Sequence, residues 1–295
     1  MKQTTIAKRV EGVGIGLHKG EPINIILEPL DANLGIVFYR KDVGVSIKAE
    51  PKSVINTQMA TVIGNDKGVY VSTIEHLMSA ISSYGIDNIR IILDANEAPV
   101  MDGSSVSFCM MLDEAGIKEL DAPKKIIVIK DEVEIREGKK FVKISPSNSP
   151  KFDYTIKFDH PLIGTQRYVF EFSKKKYIEE ISKARTFGFL KDVQMLRANN
   201  LALGGSLENA VVMDDFSILN PEGLRYKDEF VRHKILDAIG DLSLMGMPIL
   251  GDYTSFAGSH KLNHELTLAI LADAKNFEVV ELNRSALKEY AKAFA

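Results

Sequence analysis

The chain has 295 residues, 45% apolar and 26% charged, the balance of a folded protein rather than a disordered one. Its 37 Lys and Arg stand against 40 Asp and Glu, a net charge of −3, so it lacks the basic excess of a nucleic-acid-binding protein. One cysteine, Cys109, excludes an internal disulfide and every multi-cysteine zinc site. Any metal must then be held by His, Asp and Glu, and there are only six histidines. The length suggests two domains or one large one. The opening residues, Met1-Lys2-Gln3-Thr4-Thr5-Ile6, lack the apolar core of a signal peptide. No stretch approaches the ~18 apolar residues that span a bilayer, so no transmembrane segment is expected and the default compartment is the cytoplasm.

In chain order, residues 23–27 and 35–39 are β-rich runs separated by Asp31-Ala32-Asn33. Gly12, Gly14 and Gly16 are expected in a turn between strands. Over 72–84, Ile74, Leu77, Met78, Ile81 and Tyr84 recur at helical spacing, and Gly85 follows as a C-cap. A strand at 86–93 and a loop at 96–103 lead to a second helix near 104–115. A boundary falls at Asp121-Ala122-Pro123-Lys124-Lys125, dividing domains 1–121 and 126–295. Strands resume at 126–129, 140–144, 152–156 and 168–170. Helical pattern returns at 174–183, 190–200 and 228–245. A strand near 248–256, a helix near 261–272, a strand-like 278–282 and a short helical tail complete the chain. Both halves run strands, helix, strand, loop, helix. The expected fold class is α+β, a duplicated unit in which each β-sheet is layered with helices.

Within 228–245, Val231, Ile235, Ala238, Ile239, Leu242 and Met245 share one helical face. His233, Asp237 and Asp241, at i, i+4 and i+8, line roughly the opposite face. The first two can present a nitrogen and a carboxylate oxygen to one cation, or the three can form a solvated polar stripe. Ser72-x-x-Glu75 fits a capping box, which would give Glu75 a structural task. The alternative is a carboxylate beside a metal-binding His76, placed to take a proton from water. His260, after Ser255-Phe256-Ala257-Gly258-Ser259, is placed like a catalytic acid or base, or is an ordinary loop histidine. His264, starting a helix, is expected at the surface and His160 in a turn before Pro161. His18, after the glycines, could face a ligand. Gly12-Val13-Gly14-Ile15-Gly16 leads into strand-like Pro22-Ile23-Asn24-Ile25 rather than a helix, so dinucleotide binding is rejected. Gly204-Gly205-Ser206 is a turn or a point of close approach, and Lys174-Lys175-Lys176 a solvated face.

Taken together, several stretches resemble one family, the UDP-3-O-acyl-N-acetylglucosamine deacetylases, zinc enzymes of lipid A synthesis. They are Gly14-Ile15-Gly16-Leu17-His18, Ser72-Thr73-Ile74-Glu75-His76-Leu77, Ala184-Arg185-Thr186-Phe187-Gly188-Phe189, Gly204-Gly205-Ser206-Leu207-Glu208-Asn209, Leu219-Asn220-Pro221-Glu222-Gly223-Leu224-Arg225, Val231-Arg232-His233-Lys234-Ile235-Leu236-Asp237 and Gly258-Ser259-His260. The resemblance runs from about Thr5 to about residue 270.

The resemblance implies His76, His233 and Asp237 as ligands of Zn2+, with Fe2+ as a cellular alternative. It implies Glu75 as general base, His260 as general acid and Asp241 as the carboxylate that orients it. Thr186 matches a hydroxyl that helps hold the oxyanion, and Lys234 and Phe187 match residues near the substrate, with His18 placed as a further substrate contact. Two α+β domains with the active site between them are implied, and an acyl tunnel around 190–210. The partner would be a UDP-linked acylated amino sugar, with transient membrane contact through the lipid, no nucleic acid, and a monomeric enzyme. Another zinc amidase or peptidase could use the same ligand set, and in a non-catalytic two-domain binding module the cluster would be incidental.

Overall fold

The computed structural model describes residues 1–283; the helical tail expected beyond them lies outside the described residues. Two five-stranded sheets share one strand order. The first contains β1 (Val10–Ile15), β2 (Pro22–Pro29), β3 (Ile36–Arg40), β4 (Val45–Lys48) and β5 (Ile89–Leu93), ordered β1-β2-β5-β3-β4. Its neighbours are antiparallel except β3 and β5, which run parallel. Helix α1 (Glu75–Ser83) precedes β5 and α2 (Val106–Ala115) follows it. The second contains β6 (Val133–Glu137), β7 (Lys140–Ser145), β8 (Lys151–Lys157), β9 (Thr165–Glu171) and β10 (Asp252–Phe256), ordered β6-β7-β10-β8-β9. Again one pair is parallel, β8 with β10. Helix α3 (Glu229–Ser243) precedes β10 and α4 (His260–Ala272) follows it. The duplication read from element order thus extends to the pairing of each strand.

Alternation explains how the sheets lie. In β2, Ile23, Ile25 and Leu27 are buried while Pro22 and Asn24 are exposed, a period of two with one face on the core. Helix α1 is buried nearly all round, as befits an element enclosed on several sides. It packs against α3, and through that contact the apolar residues of both halves join one core. The passage between halves contains no slack. Strand Ile117–Pro123 pairs with Lys2–Ile6, and Lys125–Ile129 is flanked by Ile249–Leu250 and Phe277–Glu281.

Each half carries an insertion ahead of its seam helix. Between β4 and α1 lies a small sheet of Val54–Asn56, Val62–Gly64 and Tyr70–Val71. Between β9 and α3 lie the parallel pair Phe187–Phe189 and Val211–Met213 and the helix Leu190–Ala198, none of whose residues is buried.

Three expectations need correction. Gly12 and Gly14 are not in a turn but inside β1, opposite Ile25 and Ile23; a side chain on Gly14 would strike Met101 and Pro99. The 174–183 helix is a single α-turn, Lys174–Lys176, that widens into a π-turn over Tyr177–Ile181. His264 does not begin a helix at the surface. It lies within α4, which starts at His260, and its Nδ1 is buried. Among the described residues no helix is long and apolar enough to cross a membrane.

Candidate metal centre

Two helices from different halves meet at the site. His76 enters from the first turn of α1, and His233 and Asp237 from one face of α3. The Asp237 Oδ1 atom lies 3.5 Å from His76 Nε2 and 3.3 Å from His233 Nε2. The two imidazole rings stand edge to face at 83°, with centroids 4.9 Å apart. The three ligand atoms lie within 4.8 Å of one another, and all three residues are buried. The solvated-stripe reading of α3 therefore fails, because its polar face is covered by α1.

The donor set fits a cation by its own chemistry. The His233 Nδ1 atom donates to the Ala184 carbonyl at 2.9 Å, which leaves the Nε2 lone pair facing the cluster. Burial lowers the His233 pKa to about 3, so the ring is neutral, the form that ligates. Burial opposes charge on Asp237 too, but the Lys234 ammonium stands against it, and the carboxyl is held well below its ordinary range. Asp237 Oδ2 accepts from Lys234 Nζ at 2.7 Å, while Oδ1, also buried, has no hydrogen bond. A buried carboxylate oxygen without a partner is costly, and a cation held by this residue and the two imidazoles would satisfy it. Lys234 shows the reciprocal effect: burial disfavours its charge, yet the Asp237 anion raises its pKa.

Beside this cluster stand a carboxylate and a histidine–carboxylate pair. Glu75 is not engaged in a capping box. Ile74 holds the N-cap position without a side-chain cap bond, and Ser72 Oγ pairs with the Thr73 hydroxyl at 3.1 Å. Thr73 adopts φ +58°, a strained turn that delivers the chain into α1. Glu75 is buried, and desolvation raises its pKa against the pull of His260 and His76. Its Oε2 accepts from the Thr61 N–H at 3.1 Å, and its Oε1 lies 3.8 Å from His260 Nε2. His260 Nδ1 lies 2.8 Å from Asp241 Oδ2, which also accepts from Asn263 Nδ2 at 2.8 Å. Burial would depress His260, but Asp241 and then Glu75 raise it to about 10.

The remaining sequence candidates divide. The Phe187 ring packs 6.4 Å from the His233 ring, and Lys234 Nζ lies 5.7 Å from its centroid. Thr186 is half-buried two residues after the carbonyl that holds His233, its backbone bonded to Gly103 and Val211. His18 belongs to a neighbouring group: its backbone N–H reaches Glu97, and Thr73 Oγ1 reaches the same carboxylate at 3.3 Å. Thr61, Asn263 and the Ala184 carbonyl escaped sequence reasoning. Asn263 carries one available signal, a position three residues after His260 on the same helix. A cavity of about 330 Å³ at the C-terminal ends of α1 and α3, lined by Ser83, Tyr84, Leu242 and Met247 among others, holds none of these groups.

A His-His-Asp cluster that could hold a metal ion, flanked by a buried carboxylate and a histidine paired with a second carboxylate, is the arrangement a metal-dependent hydrolase requires. Residues 3–272 match the LpxC family, UDP-3-O-acyl N-acetylglycosamine deacetylase, and the chain belongs to that family. It is 73% identical to the UDP-3-O-acyl-N-acetylglucosamine deacetylase of Campylobacter hominis, 72% to that of Campylobacter fetus and 68% to that of Campylobacter jejuni subsp. jejuni. Each match runs over 295 residues and covers 100% of both chains.

Proposed function

We propose that this chain hydrolyses the N-acetyl group of UDP-3-O-(3-hydroxyacyl)-N-acetylglucosamine, giving acetate and the free amine, the committed step of lipid A biosynthesis. The observation that carries the reading is the meeting of Glu75 and His260 beside the three convergent ligand atoms of His76, His233 and Asp237. His76, His233 and Asp237 would hold Zn2+, or Fe2+ in the cell, which would supply Lewis-acid polarisation of the acetamide carbonyl and acidify water. Glu75, unprotonated, takes the proton of the attacking water. The Thr186 hydroxyl donates to the developing oxyanion. His260, kept protonated by Asp241, gives its proton to the leaving nitrogen, which is too basic to depart as an anion. Lys234, Phe187 and His18 contact the substrate, and the helix Leu190–Ala198 and the loop after it hold the acyl chain.

Domains 1–121 and 126–295 are the two units that supply this site, so a metal held by His76, His233 and Asp237 would also tie one unit to the other. The enzyme acts as a cytoplasmic monomer on a soluble UDP-sugar, touching a membrane only through its substrate's acyl chain.

The test is a deacetylation assay on protein of known metal content. Glu75→Ala and His260→Ala should each lose orders of magnitude in kcat while still binding one metal ion. Near-normal turnover in either sinks the assignment. Cleavage of a peptide in place of the UDP-linked sugar would make it a different amidase.

A further inference from the structure

Thr61 lies just before the strand Val62–Gly64 of the small inserted sheet and is 2% exposed. All three of its polar atoms are engaged. The N–H donates to Glu75 Oε2 at 3.1 Å, the carbonyl accepts from the Ile74 N–H at 3.4 Å, and Oγ1 donates to Asp241 Oδ1 at 2.6 Å. One residue therefore bonds the side chains of Glu75, from the first half, and Asp241, from the second.

The bond to Asp241 is the consequential one. Asp241 Oδ2 is shared by His260 Nδ1 and Asn263 Nδ2, and Asn263 is itself held by the Tyr253 hydroxyl at 2.6 Å. With Oδ2 tied on one side, the hydroxyl on Oδ1 fixes the rotation of the carboxylate plane. That plane sets the direction of the His260 ring, and hence where Nε2 points. Thr61 is suited to the task because its β-branched side chain is stiff at χ1, and its hydroxyl has a full carboxylate to donate to. Its backbone places Glu75 in the same frame, so base and acid are registered against a single residue.

We propose that Thr61 is a positioning residue for the deacetylation: its hydroxyl and N–H together hold the Asp241–His260 pair and Glu75 at their working separation. The inference rests on the roles given above to Glu75 and His260. It acts through Asp241 and touches neither substrate nor metal.

Thr61→Val keeps shape and the N–H but removes the hydroxyl. The expected result is a kcat lower by about ten- to a hundred-fold, with KM and bound metal as in the unaltered enzyme. Thr61→Ser restores the donor and recovers most of the loss. Thr61→Cys, with a weak donor, falls between them, and it serves if Thr61→Val does not accumulate as folded protein. In an Asp241→Ala background, Thr61→Val should cost nothing further, because the group it acts through is gone.

Wild-type kcat in Thr61→Val, an equal loss in Thr61→Ser, or full additivity with Asp241→Ala would each overturn the positioning role. Glu75→Ala and His260→Ala are assayed alongside. If either turns over normally, the acid–base reading fails and takes this inference with it. If both are inactive while Thr61→Val is fully active, the positioning role alone is lost.

Discussion

The backbone of Gly240 rests on the carbonyl of Glu75: a Cβ on Gly240 would overlap that carbonyl oxygen. Gly240 lies on α3 between Asp237 and Asp241, and Glu75 opens α1, so the contact sets how closely α3, with the proposed ligands His233 and Asp237, approaches α1, with the proposed base. Inside a helix, Gly→Ala ordinarily stabilises by ~1 kcal/mol. Here the sign should reverse. Gly240→Ala is expected to destabilise by ~1–3 kcal/mol through overpacking and to weaken metal binding, because the ligand helices are forced apart. Thermal melts and metal titration measure both. A variant as stable and as metal-avid as the parent would show that the seam yields freely.

With the proposed ligands drawn from two halves, a bound metal would fasten one half to the other. At a free metal concentration 100 times Kd, linkage predicts ~2.7 kcal/mol of stabilisation, which is several degrees of melting temperature for a chain of this size. Removing the ion with a chelator should lower the melting temperature accordingly, and adding zinc back should restore it. Asp237→Asn should abolish the metal-dependent increment. An unchanged melting temperature after verified metal removal would contradict a site held by both halves.

Arg185 and Glu229 fasten the site from within the second half. Both are almost fully buried, with Nε to Oε1 at 2.8 Å, and Glu229 also accepts the Arg185 and Arg225 N–H groups. The pair fixes the segment of Ala184, whose carbonyl orients His233, to the first residue of α3. Breaking such a pair from one side leaves a buried charge, so Glu229→Ala should cost ~3–5 kcal/mol. It should also loosen the His233 ring, which metal affinity at a temperature where the variant is folded would reveal. Loss of stability with unaltered metal affinity would confine the pair to a scaffold role.

What the sequence disclosed follows from which interactions are local. His233 and Asp237 are one helical turn apart, so their common face is legible from spacing alone. The doubled topology was legible as a repeated order of elements, because a strand's alternation and a helix's periodicity are both short-range. Glu75 was ambiguous because Ser72-x-x-Glu75 has the spacing of a capping box, and only the fold shows Ser72 turned to Thr73 instead. The glycines of β1 read as a turn because nothing in the chain announces that Met101 and Pro99 will press against that strand. Thr61 gave no signal at all: it stands 180 positions from the carboxylate it holds. The pairing of His76 with α3 is likewise a long-range contact, made visible in sequence only by family resemblance.

The pH response turns on His260, whose pKa of about 10 reflects the Asp241 and Glu75 anions overcoming burial. An unfolded histidine titrates near ~6.5. The folded protein therefore binds this proton more tightly than the unfolded chain. The stability it contributes is complete below about 6.5 and is lost as pH rises toward about 10. In the proposed mechanism the same proton goes to the leaving nitrogen, so activity should fall on the alkaline side as His260 deprotonates. A dication at the proposed ligands His76, His233 and Asp237 would oppose the imidazolium charge and bring that limb to lower pH in the metal-loaded enzyme than in the metal-free melts. On the acid side, burial of Glu75 should lift its limb above the ordinary carboxylate range. Asp241→Asn removes the principal anion facing His260. It should move the alkaline limb of kcat/KM to lower pH and flatten the alkaline loss of melting temperature in metal-free protein. A limb at the parental pH in this variant would mean that some group other than His260 supplies the proton.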